Sequence, residues 1–266
     1  KKDRRMQYPT YDIHYTGNPS RRVDIVLLPE GYTADEMDKF KADCKLFAEG
    51  LFSLSPYKEN QGLFNIRAVL APSQESGVDI PGEYIWKNTI LNSSFYMFDS
   101  ERYIMTYDNK SLRDLSANVP YDFIYIIANT QKYGGGAIYN DYGISISGNL
   151  HAAKVYVHEF GHLFLGLGDE YVEVGSSYND MYPTNVEPWE ANLTTLTNFK
   201  KKWKDMLDKD TPVPTTYDPQ NPKKLGAYEG GGYVSKGVYR PRYDCLMNTL
   251  SGNDFCPVCA RAIKKQ

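Results

Sequence analysis

Two short apolar runs with a helix-periodic segment between them constrain this chain most. Arg22 to Leu28, ending at Pro29, is a short apolar run and reads as a buried strand, as does Leu63 to Leu70, closed by Ala71-Pro72. Between them Thr33 is a fair helix N-cap with Glu36 three residues on, the spacing of a capping box. Phe40, Cys44, Phe47 and Leu51 then recur at helical spacing, and Cys44 reads as core on that apolar face. Strand, helix, strand in that order implies a βαβ start and parallel pairing, because a helical crossover returns the chain to run again in the same direction.

The strongest strand follows at Tyr121 to Ala128, after a Gly-, Pro- and Ser-rich loop from Ser73 to Ser94 and an expected short helix over Ser100 to Tyr107. Gly134-Gly135-Gly136-Ala137-Ile138-Tyr139 and Gly143 to Ser147 continue the β pattern. Glycines there suggest a bulge or a strand that something approaches closely. Asn149 can cap the next helix, in which Ala153, Val157, Phe160 and Phe164 share one face and Val155, His158 and His162 another. Gly166 and Gly168 end it. From Tyr171 to Pro241 the pattern dissolves into loops with one expected helix, Thr197 to Leu207. Cys256-Pro257 opens a last short helix, since proline fits a first helical turn.

The helix after Asn149 carries His158-Glu159-Phe160-Gly161-His162. Imidazoles four apart on a helix project side by side and can ligate one zinc ion, while the glutamate after the first sits beside the metal. Zinc-bound water has a pKa near ~7, and Glu159 would take its proton and pass it to the leaving amine. An accidental match in a chain this long is expected on the order of once in 200 sequences, so chance is the weaker explanation. A catalytic zinc keeps three protein ligands and one open position. The glycines permit a turn back toward the metal, and Asp169 is the first ligand-capable side chain beyond them, with Glu170 as its competitor. His14 and His151 are given no metal role.

These residues, His158-Glu159-Phe160-Gly161-His162 with Gly166-Leu167-Gly168-Asp169-Glu170-Tyr171, occur with Cys245-Leu246-Met247 and Phe255-Cys256-Pro257-Val258-Cys259. Together they resemble the metzincin superfamily, specifically the bacterial IgA peptidase family, over about Arg22 to Ile263. The resemblance implies an α/β (α+β) fold: a mixed, mostly parallel twisted sheet with two main helices above a zinc cleft, then an irregular C-terminal subdomain. A lead-in segment, 1–21, would precede a catalytic domain, 22–266, divided at about 22–168 and 169–266. The resemblance also implies that Met247 lies in a tight turn beneath the zinc. The common metzincin pattern places its third ligand six residues after the second histidine, where this chain has Gly168. The Asp-Glu-Tyr ending resembles that of the immune-inhibitor-type peptidases, whose aspartate is the third ligand. It falls one residue later here, which supports Asp169 and leaves Glu170 open. In such folds extended substrate adds to the sheet's edge strand, which makes Gly135, Gly136 and Ala137 the candidate edge. Archaemetzincins carry a similar cysteine arrangement that binds a structural zinc. With only three clustered cysteines a four-thiolate site is incomplete, so a disulfide from Cys245 to Cys256 or Cys259 is the favoured reading over a structural metal.

The expected activity is therefore a zinc endopeptidase with one catalytic Zn2+, acting on extended protein or glycoprotein substrates. A zinc hydrolase of non-peptide amides is one alternative. A binding module with a relic metal site is the other, though a relic has no need of a base at Glu159. A net charge of -3 and a pI near 5.9 give no reason to expect a nucleic-acid partner. The 23 tyrosines suit extended binding surfaces. No run is long and apolar enough to span a bilayer. The opening Lys1-Lys2-Asp3-Arg4-Arg5 has no apolar run behind it, so any export signal or lipid anchor has been removed or never existed. The expected enzyme is a secreted or cell-surface monomer, with the export signal or lipid anchor absent from this chain.

Overall fold

A strand whose side chains are apolar on both faces needs cover on both faces, and the strands of this protein receive it. The computed structural model describes residues 7–173 and 181–266, so the opening Lys1 to Arg5 and part of the loop region after Tyr171 lie outside the described residues. The chain divides into two compact units, Lys1–Phe164 and Leu165–Gln266.

In the first unit, β1 (Thr10–His14), β2 (Val23–Glu30), β3 (Phe64–Val69), β4 (Phe123–Ala128), β5 (Gly135–Ile138) and β6 (Tyr142–Ile146) form one sheet in the order β1-β3-β2-β4-β6-β5. Its inner pairings, β2 with β3, β2 with β4 and β4 with β6, are parallel. Its edges, β1 and β5, are antiparallel. The sheet is thus mixed and mostly parallel. Its helices are α1 (Met37–Ser53), α2 (Asn109–Ser116) and α3 (Ala152–Leu165). Residues 10–14, read from the sequence as lead-in, are strand β1.

Alternate residues of the central strands go to opposite layers. Val26 and Leu28 of β2 and Ile124 and Ile126 of β4 join Leu112 and Leu115 of α2 in one buried cluster. On the other face, Phe123 lies 5.0 Å from Phe164 and Tyr125 lies 4.8 Å from Phe47, centroid to centroid, which seats α3 and α1 on the sheet. Gly50 allows those two helices to close up, because a Cβ there would stand 3.0 Å from the Ala153 carbonyl oxygen. Phe47 is fully buried among Tyr125, Tyr156 and Phe160, so its truncation to alanine would cost about 3–5 kcal/mol.

Several local expectations are modified by pairing. β2 runs through Pro29 to Glu30. Pairing with β3 ends at Leu27 while pairing with β4 continues, so the proline leaves no rung of the β3 ladder missing. Glu30 is buried and pins the following loop: its carboxylate accepts from the Thr89 hydroxyl at 2.7 Å and from the Leu91 and Ser93 amides at 3.0 and 2.7 Å. Ser100 to Tyr107 is not a helix. Met105 instead exchanges backbone hydrogen bonds with Ser94, and the helix begins later, at α2, where Asp108 accepts from the Ser111 amide at 3.0 Å.

The second unit contains a hairpin within the stretch whose pattern predicts loops, β7 (Tyr228–Gly231) with β8 (Val234–Arg240), and ends in α4 (Pro257–Ile263), which Pro257 opens. Leu193, Val234 and Val238 form a small core. The expected helix over Thr197 to Leu207 is two short 3-10 turns, Phe199–Lys201 and Lys204–Met206, separated at Lys202 by a non-helical backbone. Trp203 between them is buried and donates its indole N–H to the Gly226 carbonyl at 2.7 Å. Among the described residues no helix is long and apolar enough to cross a membrane.

Candidate metal centre

Helical spacing does the first part of the work. His158 and His162 are one turn apart on α3, both half-buried, with Nε2 atoms 3.1 Å apart and rings at 87°. Two nitrogens each about 2.05 Å from one ion would stand at that separation when they subtend roughly 100° at it. The spacing fits a shared metal.

Glu159, next along the helix, lies over β5. A Cβ built on Gly135 would stand 2.7 Å from Glu159 Oε1 and 3.1 Å from its Cγ and Cδ. The glycine at 135 therefore leaves room for the carboxylate of the chain's own Glu159. At Gly136 the space is taken by Met105 Sδ, 2.8 Å from the built Cβ. β5 is the edge strand of the sheet, yet its outer side is already paired at Gly135, whose amide donates to the Arg102 carbonyl at 3.2 Å beside Tyr103. The glycines thus fit their own chain closely, whatever else approaches there. Ala137 follows, half-buried, one residue before the exposed Ile138.

Beyond α3 the chain turns at Gly166, whose φ of +60° is the left-handed conformation that ends helices. Gly168 is clamped by the Asn192 side-chain amide, which accepts from its N–H and donates to its carbonyl, both at 2.8 Å. A Cβ at Gly168 would meet Leu193 Cδ1 at 2.5 Å, so this position admits only glycine without rearrangement. From this fixed point the next two side chains part company. Asp169, buried, accepts a hydrogen bond from the Tyr233 hydroxyl, and its backbone carbonyl accepts from the Gly232 amide at 2.8 Å. His158, His162 and Asp169 each offer one ligand atom, and these lie within 4.8 Å of one another. Glu170 is in a different group, with Cys245, Cys256 and Cys259, whose ligand atoms also lie within 4.8 Å of one another. Burial pushes the Glu170 carboxyl well above the usual carboxylate range.

Met247 is fully buried in a tight turn in which the Asn248 amide donates to the Cys245 carbonyl at 2.9 Å. Its own carbonyl accepts from the Glu170 amide at 2.7 Å. The disulfide favoured from the sequence is not present: all four cysteines are free and buried. Cys256 and Cys259 hold their sulfurs 3.5 Å apart, far beyond the ~2.05 Å of a bond. Asn192 and Tyr233, which hold the 168–169 turn, escaped sequence reading. Nothing short-range marks them, for they lie 24 and 64 residues from the groups they bind.

The family model of IgA Peptidase M64 matches residues 11–221 and 217–266, and the chain belongs to that family. It is therefore a peptidase, a hydrolase of peptide bonds. No curated protein matches the chain.

Proposed function

With membership of a peptidase family as the premise, we propose that the chain is a zinc-dependent endopeptidase in which His158, His162 and Asp169 hold the metal and Glu159 is the catalytic base. The observation that carries this reading is the convergence of those three ligand atoms beside a glutamate on the same helix. A zinc ion there would supply Lewis-acid stabilisation of the charge that develops on the scissile carbonyl oxygen. Glu159 takes a proton from the water that attacks the carbonyl carbon, and returns it to the amide nitrogen as the C–N bond breaks. Tyr233 holds Asp169 by its hydroxyl, the kind of outer partner that fixes a ligand's orientation. Met247 would serve the site indirectly, its polarisable side chain filling the buried turn whose carbonyl accepts from the Glu170 amide. Extended substrate would add to β5 at Ala137 and Ile138, past the pairing at Gly135. Membership of a peptidase family favours peptide bonds over other amides.

The test is Glu159→Gln on purified protein. Zinc content and thermal stability should match the parent, while hydrolysis of a protein substrate falls by about 10²-fold or more. Near-parental turnover by that variant refutes the mechanism. Loss of zinc from His158→Ala or His162→Ala, and from Asp169→Ala but not from a variant elsewhere in the turn, tests the ligand set.

A further inference from the structure

Glu170, Cys245, Cys256 and Cys259 come from three separate stretches of the second unit, and all four side chains are buried to the last per cent or beyond. Cys245 Sγ is 3.2 Å from Glu170 Oε2, Cys259 Sγ is 3.4 Å from Glu170 Oε1, and Cys256 Sγ is 3.5 Å from Cys259 Sγ. A tetrahedral zinc with sulfurs at ~2.3 Å and a carboxylate oxygen at ~2.0 Å sets its ligand atoms about 3.5–3.8 Å apart. The observed separations lie close to that range, slightly contracted. We propose that these four residues form a second, structural zinc site, closed by three thiolates and one carboxylate.

Two features of the surroundings support an anionic, metal-bound cluster over four neutral groups. The first is backbone donors aimed at sulfur: the Met247 amide lies 3.4 Å from Cys245 Sγ, and the Cys259 amide 3.5 Å from Cys256 Sγ. Such bonds stabilise thiolate most. The second is Arg240. Its guanidinium is largely buried and donates to the Tyr243, Glu229 and Gly230 carbonyls, with no carboxylate bonded to it among the described residues. Foremost among the acidic groups it feels is Glu170, followed by Tyr243, Asp244 and Cys245. A buried cation without a counter-charge is costly. Four anions this close cannot persist without a cation between them, and four neutral groups would deprive Arg240 of the foremost charge it faces. Three thiolates and a carboxylate around one Zn2+ carry a net charge of -2, which does both. The remaining position of the carboxylate is filled by Asn192, which donates to Glu170 Oε1 at 2.9 Å.

The site has a structural consequence for the turn region. Asn192 also clamps Gly168, and the Glu170 amide is bonded to Met247, so a metal here would fasten α4, the Met247 turn and the residue after Asp169 to one another. Zinc would also keep Cys256 and Cys259 from oxidising, since a ligated thiolate pair is not available to form a disulfide.

Zinc analysis of the intact protein decides the matter independently of activity. The expected result is two zinc ions per chain and four thiols titrated after denaturation without reductant. The His158→Ala/His162→Ala double variant should keep one ion. Cobalt exchanged into that variant should give thiolate-to-cobalt charge-transfer absorption in the near ultraviolet. Glu170→Gln should weaken retention of that ion at least tenfold in competition with a chelator. Two titratable thiols instead of four, or no thiolate band in the histidine variant, overturns the proposal. So does full zinc content in Cys256→Ser/Cys259→Ser. If the thiolate site loads and the histidine site does not, the proposed peptidase mechanism fails while this one stands.

Discussion

Gly135→Ala separates two reasons for a glycine in β5. The added methyl would stand 2.7 Å from Glu159 Oε1, against the 3.4 Å at which ordinary contact begins, so the carboxylate must move by about 0.7 Å. The atom displaced is the far end of a flexible, half-buried side chain, which limits the stability loss to about 1 kcal/mol. The chemistry is less forgiving, since misplacing a reacting group by about 1 Å can cost up to 10²-fold in rate. We therefore expect kcat on a fluorogenic peptide to fall by roughly 10- to 100-fold with KM nearly unchanged, and zinc content to stay at the parental level. If the glycine serves instead to admit substrate backbone, KM should rise while kcat at saturation persists. A variant with parental kcat and KM refutes the placement of Glu159 as base.

Other expectations can be checked in the same set of proteins. Tyr233→Phe removes the hydroxyl on Asp169 and should weaken zinc binding by about 10- to 100-fold in a metal-buffered titration, and an unchanged affinity excludes that role. Gly168→Ala drives a methyl to 2.5 Å from Leu193 and strains the Asn192 clamp, so about 1–3 kcal/mol of stability should be lost in urea unfolding, whereas a neutral result contradicts the packing. Asp108→Ala removes the cap of α2 and should cost about 1 kcal/mol near neutral pH. Partial burial pushes the Asp108 carboxyl up, but the Ser111 amide and hydroxyl and Asn92 outweigh it and hold it below its usual value. A carboxyl depressed in the folded state stabilises above its unfolded pKa and loses that contribution as pH falls through the folded one. The difference between parent and variant should therefore shrink below about pH 4, and a constant difference down to pH 2 would contradict the assignment.

Local chemistry made part of this protein legible from its sequence. His158 and His162 share a helix face because of the 3.6-residue period, and Gly166 ends the helix because glycine accepts a positive φ, so the helix and its breaker needed no distant information. The runs Arg22 to Leu28 and Tyr121 to Ala128 declared themselves for a related reason: strands covered on both faces must be largely apolar. The shorter strands carried no such mark. Thr10–His14 and the β7–β8 hairpin alternate burial with exposure or hold glycine and charge, and only pairing makes them strands. Met105 and its neighbours have a helix-like composition but are claimed by hydrogen bonds to Ser94, a competition that spacing cannot reveal. Asp169 and Glu170 are adjacent, both are oxygen donors, and nothing in their order sorts them. Tertiary structure does so, because Asn192 fixes the turn at Gly168. Tyr233 then receives one carboxylate while Asn192 and two buried thiols receive the other.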